Sequence, residues 1–144
     1  LIEEYVISKR YPSSLEIKII ETKLLALLSI RGKSFYIGSN GKLIEAEDMF
    51  KNLPYIFGDP NIEKFLSLKR MIDSSKLDYN DVENLFFYPS GRWDIELSSG
   101  ILIKLPIENI EKSLDLSLNL LGNKQFENIK SIDARPQNQV ITYE

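Results

Sequence analysis

The chain of 144 residues has no cysteine and no histidine. Their absence removes disulfides, thiol nucleophiles, most zinc sites and the commonest general base. A cysteine-free chain suits any compartment, so this feature does not locate the protein. A surplus of positive charge is missing as well. The 18 basic and 21 acidic residues leave a net charge of −3, so nucleic acid is not an expected partner. Long hydrophobic runs are also lacking. The longest strongly apolar stretch, residues 24–30, is far too short to cross a bilayer. There is no low-complexity run and no repeat at a fixed period.

What remains is a globular composition, 43% hydrophobic and 27% charged, in a length suited to one domain or one domain plus a fragment of another. The sequence opens on Leu1 and strand-like residues with no signal-like run. We therefore expect a fragment, with any membrane anchor upstream.

Residues 5–11 read as a strand stopped by Pro12-Ser13-Ser14. Residues 15–21 alternate apolar and charged side chains, the period of a strand with one dry and one wet face. These two segments are expected to form an antiparallel hairpin. Residues 24–30 hardly alternate, as in a strand covered on both faces or one bending onto a second core. Ser39-Asn40-Gly41 between residues 34–38 and 43–45 signals another hairpin. A short extended piece at 53–58 precedes Asn61, which is placed to cap a helix through about Ile72. Its apolar stripe is Ile62, Phe65, Leu66, Leu68 and Ile72. Residues 82–88, 92–97 and 101–105 form a three-stranded meander. A second helix opens at Pro106, with Ile107, Ile110, Leu114, Leu118 and Leu121 on one side and Gly122-Asn123 as its stop. Two short strands, 131–135 and 139–143, flank a turn at 136–138. The pattern is α+β: a mostly antiparallel curved sheet with two helices packed on it, preceded by a hairpin, with a boundary near Thr22-Lys23.

Arg10-Tyr11-Pro12-Ser13-Ser14-Leu15-Glu16-Ile17-Lys18-Ile19-Ile20-Glu21 resembles the closing hairpin of the POTRA module in the bacterial FtsQ/DivIB division family. Leu53-Pro54, Gly58-Asp59-Pro60, Gly91-Arg92-Trp93-Asp94-Ile95-Glu96-Leu97-Ser98-Ser99-Gly100-Ile101 and Ile132-Asp133-Ala134-Arg135 resemble later signposts of that family in the right order. The resemblance implies residues 1–22 as the end of a POTRA module and 23–144 as the β domain. It implies a single-pass inner-membrane protein with its bulk in the periplasm, at the division septum. It also implies no enzymatic activity and no cofactor. The expected role is a scaffold whose terminal strand takes up a segment of FtsB, in a complex with FtsL. Two positions depart from the family pattern: Pro136 stands where an aromatic is common, and Gln139 replaces a turn glycine, leaving Asn138 as the residue suited to positive φ.

A final strand has no successor to cover its outer side, so its N–H and C=O groups are open to another chain. The candidate partner-binding residues are therefore Asn138, Gln139, Val140, Ile141, Thr142 and Tyr143. Arg135 matches the arginine of the family's Asp-x-Arg motif. With Arg92 it is a candidate for holding a partner carboxylate, against the plainer alternative of local pairs with Asp133 and Asp94. Phe86, Phe87, Tyr88 and Trp93 are expected to pack in the core. The acid pairs Asp94/Glu96 and Glu45/Glu47 raise a glycosidase reading. Their alternation places each pair on a solvated face, where carboxylates keep ordinary pKa values. From a different class, a POTRA-type targeting or chaperone module of an outer-membrane transport system fits the opening hairpin.

Overall fold

A computed structural model describes residues 4–7, 19–46, 52–122, 128–136 and 140–144. Glu4–Ile7 (β1) and Ile19–Thr22 (β2) pair antiparallel in a separate two-stranded sheet. The rest of the predicted opening hairpin lies outside the described residues. Lys23 alone separates β2 from the large sheet. It is pinned there because its N–H donates to Ser39 Oγ at 3.0 Å and its carbonyl accepts from Ser39 N–H at 2.7 Å.

The large sheet contains Leu24–Ile30 (β3), Lys33–Gly38 (β4), Leu43–Glu45 (β5), Tyr55–Phe57 (β6), Val82–Phe87 (β7), Trp93–Leu97 (β8), Leu102–Lys104 (β9), Ser131–Asp133 (β10) and Ile141–Tyr143 (β11). Two helices, Ile62–Ser74 (α1) and Ile110–Leu121 (α2), complete the α+β fold. The strands lie side by side in the order β11-β10-β9-β8-β7-β6-β3-β4-β5. Five neighbouring pairs are antiparallel; β3–β6, β6–β7 and β9–β10 are parallel. The sheet is thus mixed, with antiparallel pairs in the majority.

Two of the parallel pairs have a common cause. The units β6–α1–β7 and β9–α2–β10 are strand–helix–strand crossovers between neighbours. β9 runs parallel to β7, because two antiparallel steps separate them. Both crossovers therefore leave from strands of the same direction and step one place toward β11. Crossovers of one hand then lay both helices on the same face. Burial agrees with this arrangement. The cross-strand row Leu28, Ile56, Leu85, Ile95, Ile103 and Ile132 is buried with Phe65, Leu68 and Ile72 of α1 and Ile110 and Leu114 of α2 in one apolar cluster.

The predicted features of α1 are present. Asn61 Oδ1 accepts from the Lys64 N–H at 2.8 Å, and the stripe read from the sequence faces the core. At α2 the structure corrects the sequence reading. Asn109 adopts a left-handed conformation (φ 59°, ψ 41°), so the helix starts at Ile110 and not at Pro106, and Ile107 is exposed. The buried side of α2 includes Ser113 and Ser117, and Ser117 Oγ donates to the Ser113 carbonyl at 2.7 Å.

Residues Ala26, Leu27 and Leu28 are consecutive and all buried, so the middle of β3 is covered on both faces. The β3–β4 turn is a two-residue loop with both residues at positive φ, Arg31 at 50° and Gly32 at 82°. Ser39-Asn40-Gly41 forms the predicted hairpin within a four-residue connection, 39–42, in which Gly41 alone has positive φ, at 80°.

Candidate interaction edge

The last strand lies at the margin of the sheet. Among the described residues β11 pairs only with β10, in the register Ser131↔Tyr143, Ile132↔Thr142 and Asp133↔Ile141. The Lys130 N–H adds a bond to the Tyr143 carbonyl at 2.7 Å. Alternation places Thr142 on the helix side with Ile132, and Ile141 and Tyr143 on the opposite face, which carries no helix among the described residues (the helix-free face). Those two side chains are 40% and 49% exposed. Val140, which the sequence reading included in the edge strand, stands before it and packs against the apolar core. Asn138 and Gln139 lie outside the described residues.

Beside this edge, two arginine–aspartate pairs share the helix-free face, because residues two apart on an extended chain point the same way. Arg135 grips Asp133 in bidentate fashion, Nε to Oδ1 at 2.8 Å and Nη2 to Oδ2 at 2.6 Å. The Arg135 backbone N–H donates to the same Oδ1 at 3.0 Å. On β8, Arg92 Nη1 donates to Asp94 Oδ1 at 2.8 Å and to the Leu105 carbonyl at 3.0 Å. Tyr88 Oη donates to Asp94 Oδ2 at 2.9 Å, while the Arg92 guanidinium sits 5.0 Å from the centre of the Tyr88 ring. Register joins the two pairs through Lys104, opposite Asp94 on one side and Asp133 on the other. The plainer local pairing considered for both arginines is therefore present. The two differ in access: the Arg135 side chain is 44% exposed and that of Arg92 18%.

The electrostatics follow from these contacts. The Arg135 side-chain hydrogen bonds hold the Asp133 carboxyl below its ordinary range against the opposing effect of burial, with help from the Arg135 backbone N–H and Lys104. The same pair raises the Arg135 guanidinium, to which Asp94 and Tyr143 also contribute. Partial burial, then the bond to Asp94, raises the Tyr88 phenol. A carboxyl held low in the folded state stabilises fully above its unfolded value and loses that contribution as pH falls through the folded value. We expect stability to fall below about pH 4 in the wild type. Asp133→Asn flattens that acid limb, which thermal melts at stepped pH will show.

Two sequence expectations change here. Asp94 was expected to be solvated, yet it is 2% exposed because Arg92 and Tyr88 close over it. Glu96 accepts from Asn84 Nδ2 at 2.7 Å, Glu45 is exposed, and Glu47 lies outside the described residues. The four aromatics divide by strand parity. Trp93 and Phe87 pack together on the core side with centroids 4.8 Å apart, whereas Phe86 and Tyr88 occupy the helix-free face. Sequence reasoning missed Tyr88 and Lys104 as members of this network. Counting residues alternately from Arg92 and Asp94 across the meander would have placed them.

Among the described residues no group of three or more Asp and Glu is placed to hold a metal ion, and no helix is long and apolar enough to cross a membrane. Over residues 26–135, the stretch from β3 to Arg135, the sequence matches the C-terminal domain family of cell division protein FtsQ/DivIB. The chain belongs to the FtsQ/DivIB family. It is 30% identical to cell division protein FtsQ of Rickettsia bellii (strain RML369-C) over 142 residues, covering 96% of this chain and 53% of that protein. It is 28% identical to cell division protein DivIB of Clostridium botulinum (strain Loch Maree / Type A3), covering 99% of this chain and 63% of the relative. The chain thus spans about half the length of the FtsQ relative and somewhat more of the DivIB relative. Its fold is similar to that of the major extracytoplasmic domain of DivIB from Geobacillus stearothermophilus. That match has a TM-score of 0.52 at 14% identity, covering 77% of this chain and 99% of that one.

Proposed function

We propose that this FtsQ/DivIB chain is a non-catalytic scaffold of the division machinery that recruits FtsB, together with FtsL, by strand addition at β11. In this reading residues 1–22 end a POTRA module and 23–144 form the β domain, outside the cytoplasm, with the membrane anchor upstream. The observation that carries the proposal is the terminal place of β11 in the sheet order, with Ile141 and Tyr143 exposed. An open sheet edge is a ready template for another strand. The three-residue edge supplies few main-chain bonds, each worth about 1 kcal/mol net. Ordering the partner offsets much of that gain, so side chains must supply specificity. Ile141 and Tyr143 are the apolar anchors, and Arg135 is better placed than Arg92 to share a partner carboxylate. Arg92 already spends one nitrogen on both Asp94 and the Leu105 carbonyl.

The test is binding to the C-terminal segment of FtsB from the same organism. Ile141→Glu and Tyr143→Ala are expected to weaken it about tenfold or more. Leu116→Ala, on α2, is expected to leave it unchanged. Unaltered affinity for Ile141→Glu, with an intact fold by circular dichroism, would sink the proposal.

A further inference from the structure

The helix-free face carries a second exposed apolar group, well away from β11. Phe57 on β6 is 45% exposed. Its ring stacks on Phe86 of β7 with centroids 5.0 Å apart and planes 11° apart, and Tyr55 leans against it at 4.7 Å. This ledge and the β11 edge are ends of one cross-strand row: Phe57, Phe86, Asp94, Lys104, Asp133 and Ile141 stand in register on six successive strands. Five strand spacings make the strip about 24 Å long. Of the seven large apolar side chains exposed among the described residues, four (Phe57, Tyr88, Ile141 and Tyr143) belong to this face. The middle of the strip holds the two arginine–aspartate pairs, whose charges offset one another. The strip therefore offers apolar anchors at both ends and hydrogen-bonding groups between them.

We propose that the Phe57–Phe86 ledge is a second anchoring site for the polypeptide that adds its strand to β11. It takes an apolar or aromatic side chain from a segment that leaves the added strand and crosses the helix-free face. The inference rests on the strand-addition reading and extends it. A three-residue edge alone gives a weak complex, whereas an exposed ring stacked on a partly buried one offers a further aromatic anchor. Among the described residues the row is continuous, with no intervening strand or helix, which gives a single partner a direct path. Covering the strip takes roughly 16 helical or 7 extended residues beyond the added strand.

The experiment compares two FtsB C-terminal peptides, one limited to the added strand and one longer by about 20 residues, enough to cross the strip. Each is titrated against wild type, Phe57→Ala and Tyr143→Ala. Phe57→Ala is expected to weaken the long peptide by about tenfold and leave the short one unchanged, while Tyr143→Ala weakens both. Because Phe57 is nearly half exposed, its truncation spares the fold, and Phe57→Leu, retaining apolar bulk, is expected to recover part of the affinity. Equal binding of the long peptide by wild type and Phe57→Ala, with Tyr143→Ala still defective, overturns the ledge and leaves the edge standing. Failure of both peptides to bind wild type removes both readings. A dimer of this chain in sedimentation that Phe57→Ala dissociates would assign the ledge to a second copy and also overturn the inference.

Discussion

Asp94→Ala is expected to destabilise the protein by about 3–5 kcal/mol, the range for removing one partner of a buried ion pair. For a chain of this size the melting temperature should fall by roughly 10 °C or more. Asp94 is 2% exposed and accepts from both Arg92 and Tyr88. Without its carboxylate, the Arg92 guanidinium keeps, among the described residues, the Leu105 carbonyl and the face of the Tyr88 ring, in a place where its side chain is 18% exposed. An under-compensated charge of that kind, more than the lost bond itself, sets the size of the effect. The double variant Arg92→Leu/Asp94→Leu removes both charges and should recover most of the loss. Urea denaturation of the two singles and the double will measure the coupling. A loss under about 1 kcal/mol for Asp94→Ala would mean that the pair behaves as a solvated surface bridge.

Gly58→Ala is expected to cost about 3 kcal/mol. Gly58 ends β6 at a φ of 101°, and a Cβ there would stand 2.2 Å from the Phe87 carbonyl oxygen. Backbone cannot swing aside as a long side chain can, so β6 and β7 must separate at their ends. Gly32→Ala provides the contrast. Gly32 also has positive φ, 82°, but among the described residues nothing beyond its own chain neighbours lies within 4 Å of its would-be Cβ. Conformational strain alone should then cost about 1 kcal/mol. Thermal melts of the two variants separate steric overlap from strain, and equal losses would contradict the close approach at Gly58.

Several features were legible from local chemistry. Asn61 caps α1 because an amide oxygen three residues before a backbone N–H can reach it, whatever the chain does elsewhere. The meander β7-β8-β9 follows from alternation interrupted by turn residues. The start of α2 was not legible. Pro106 and Ile107 satisfy helix rules, but Asn109 turns left-handed and the stripe begins at Ile110. The tightest turn also went unread. Arg31-Gly32 takes positive φ at both residues, including an arginine, because a two-residue connection between β3 and β4 demands it.

The sequence by itself determined the element types, the apolar side of each helix, and a terminal strand rich in residues that favour extension. These depend on side chains a few positions apart, whose spacing the chain fixes directly. Only the tertiary structure decided that the sheet is mixed, that β11 ends its order, and that Asp94 is enclosed. It also decided that Phe57 and Ile141 share one row, although the chain separates them widely. Those properties arise from long-range strand pairing, where register and neighbour choice answer to the packing of the whole core.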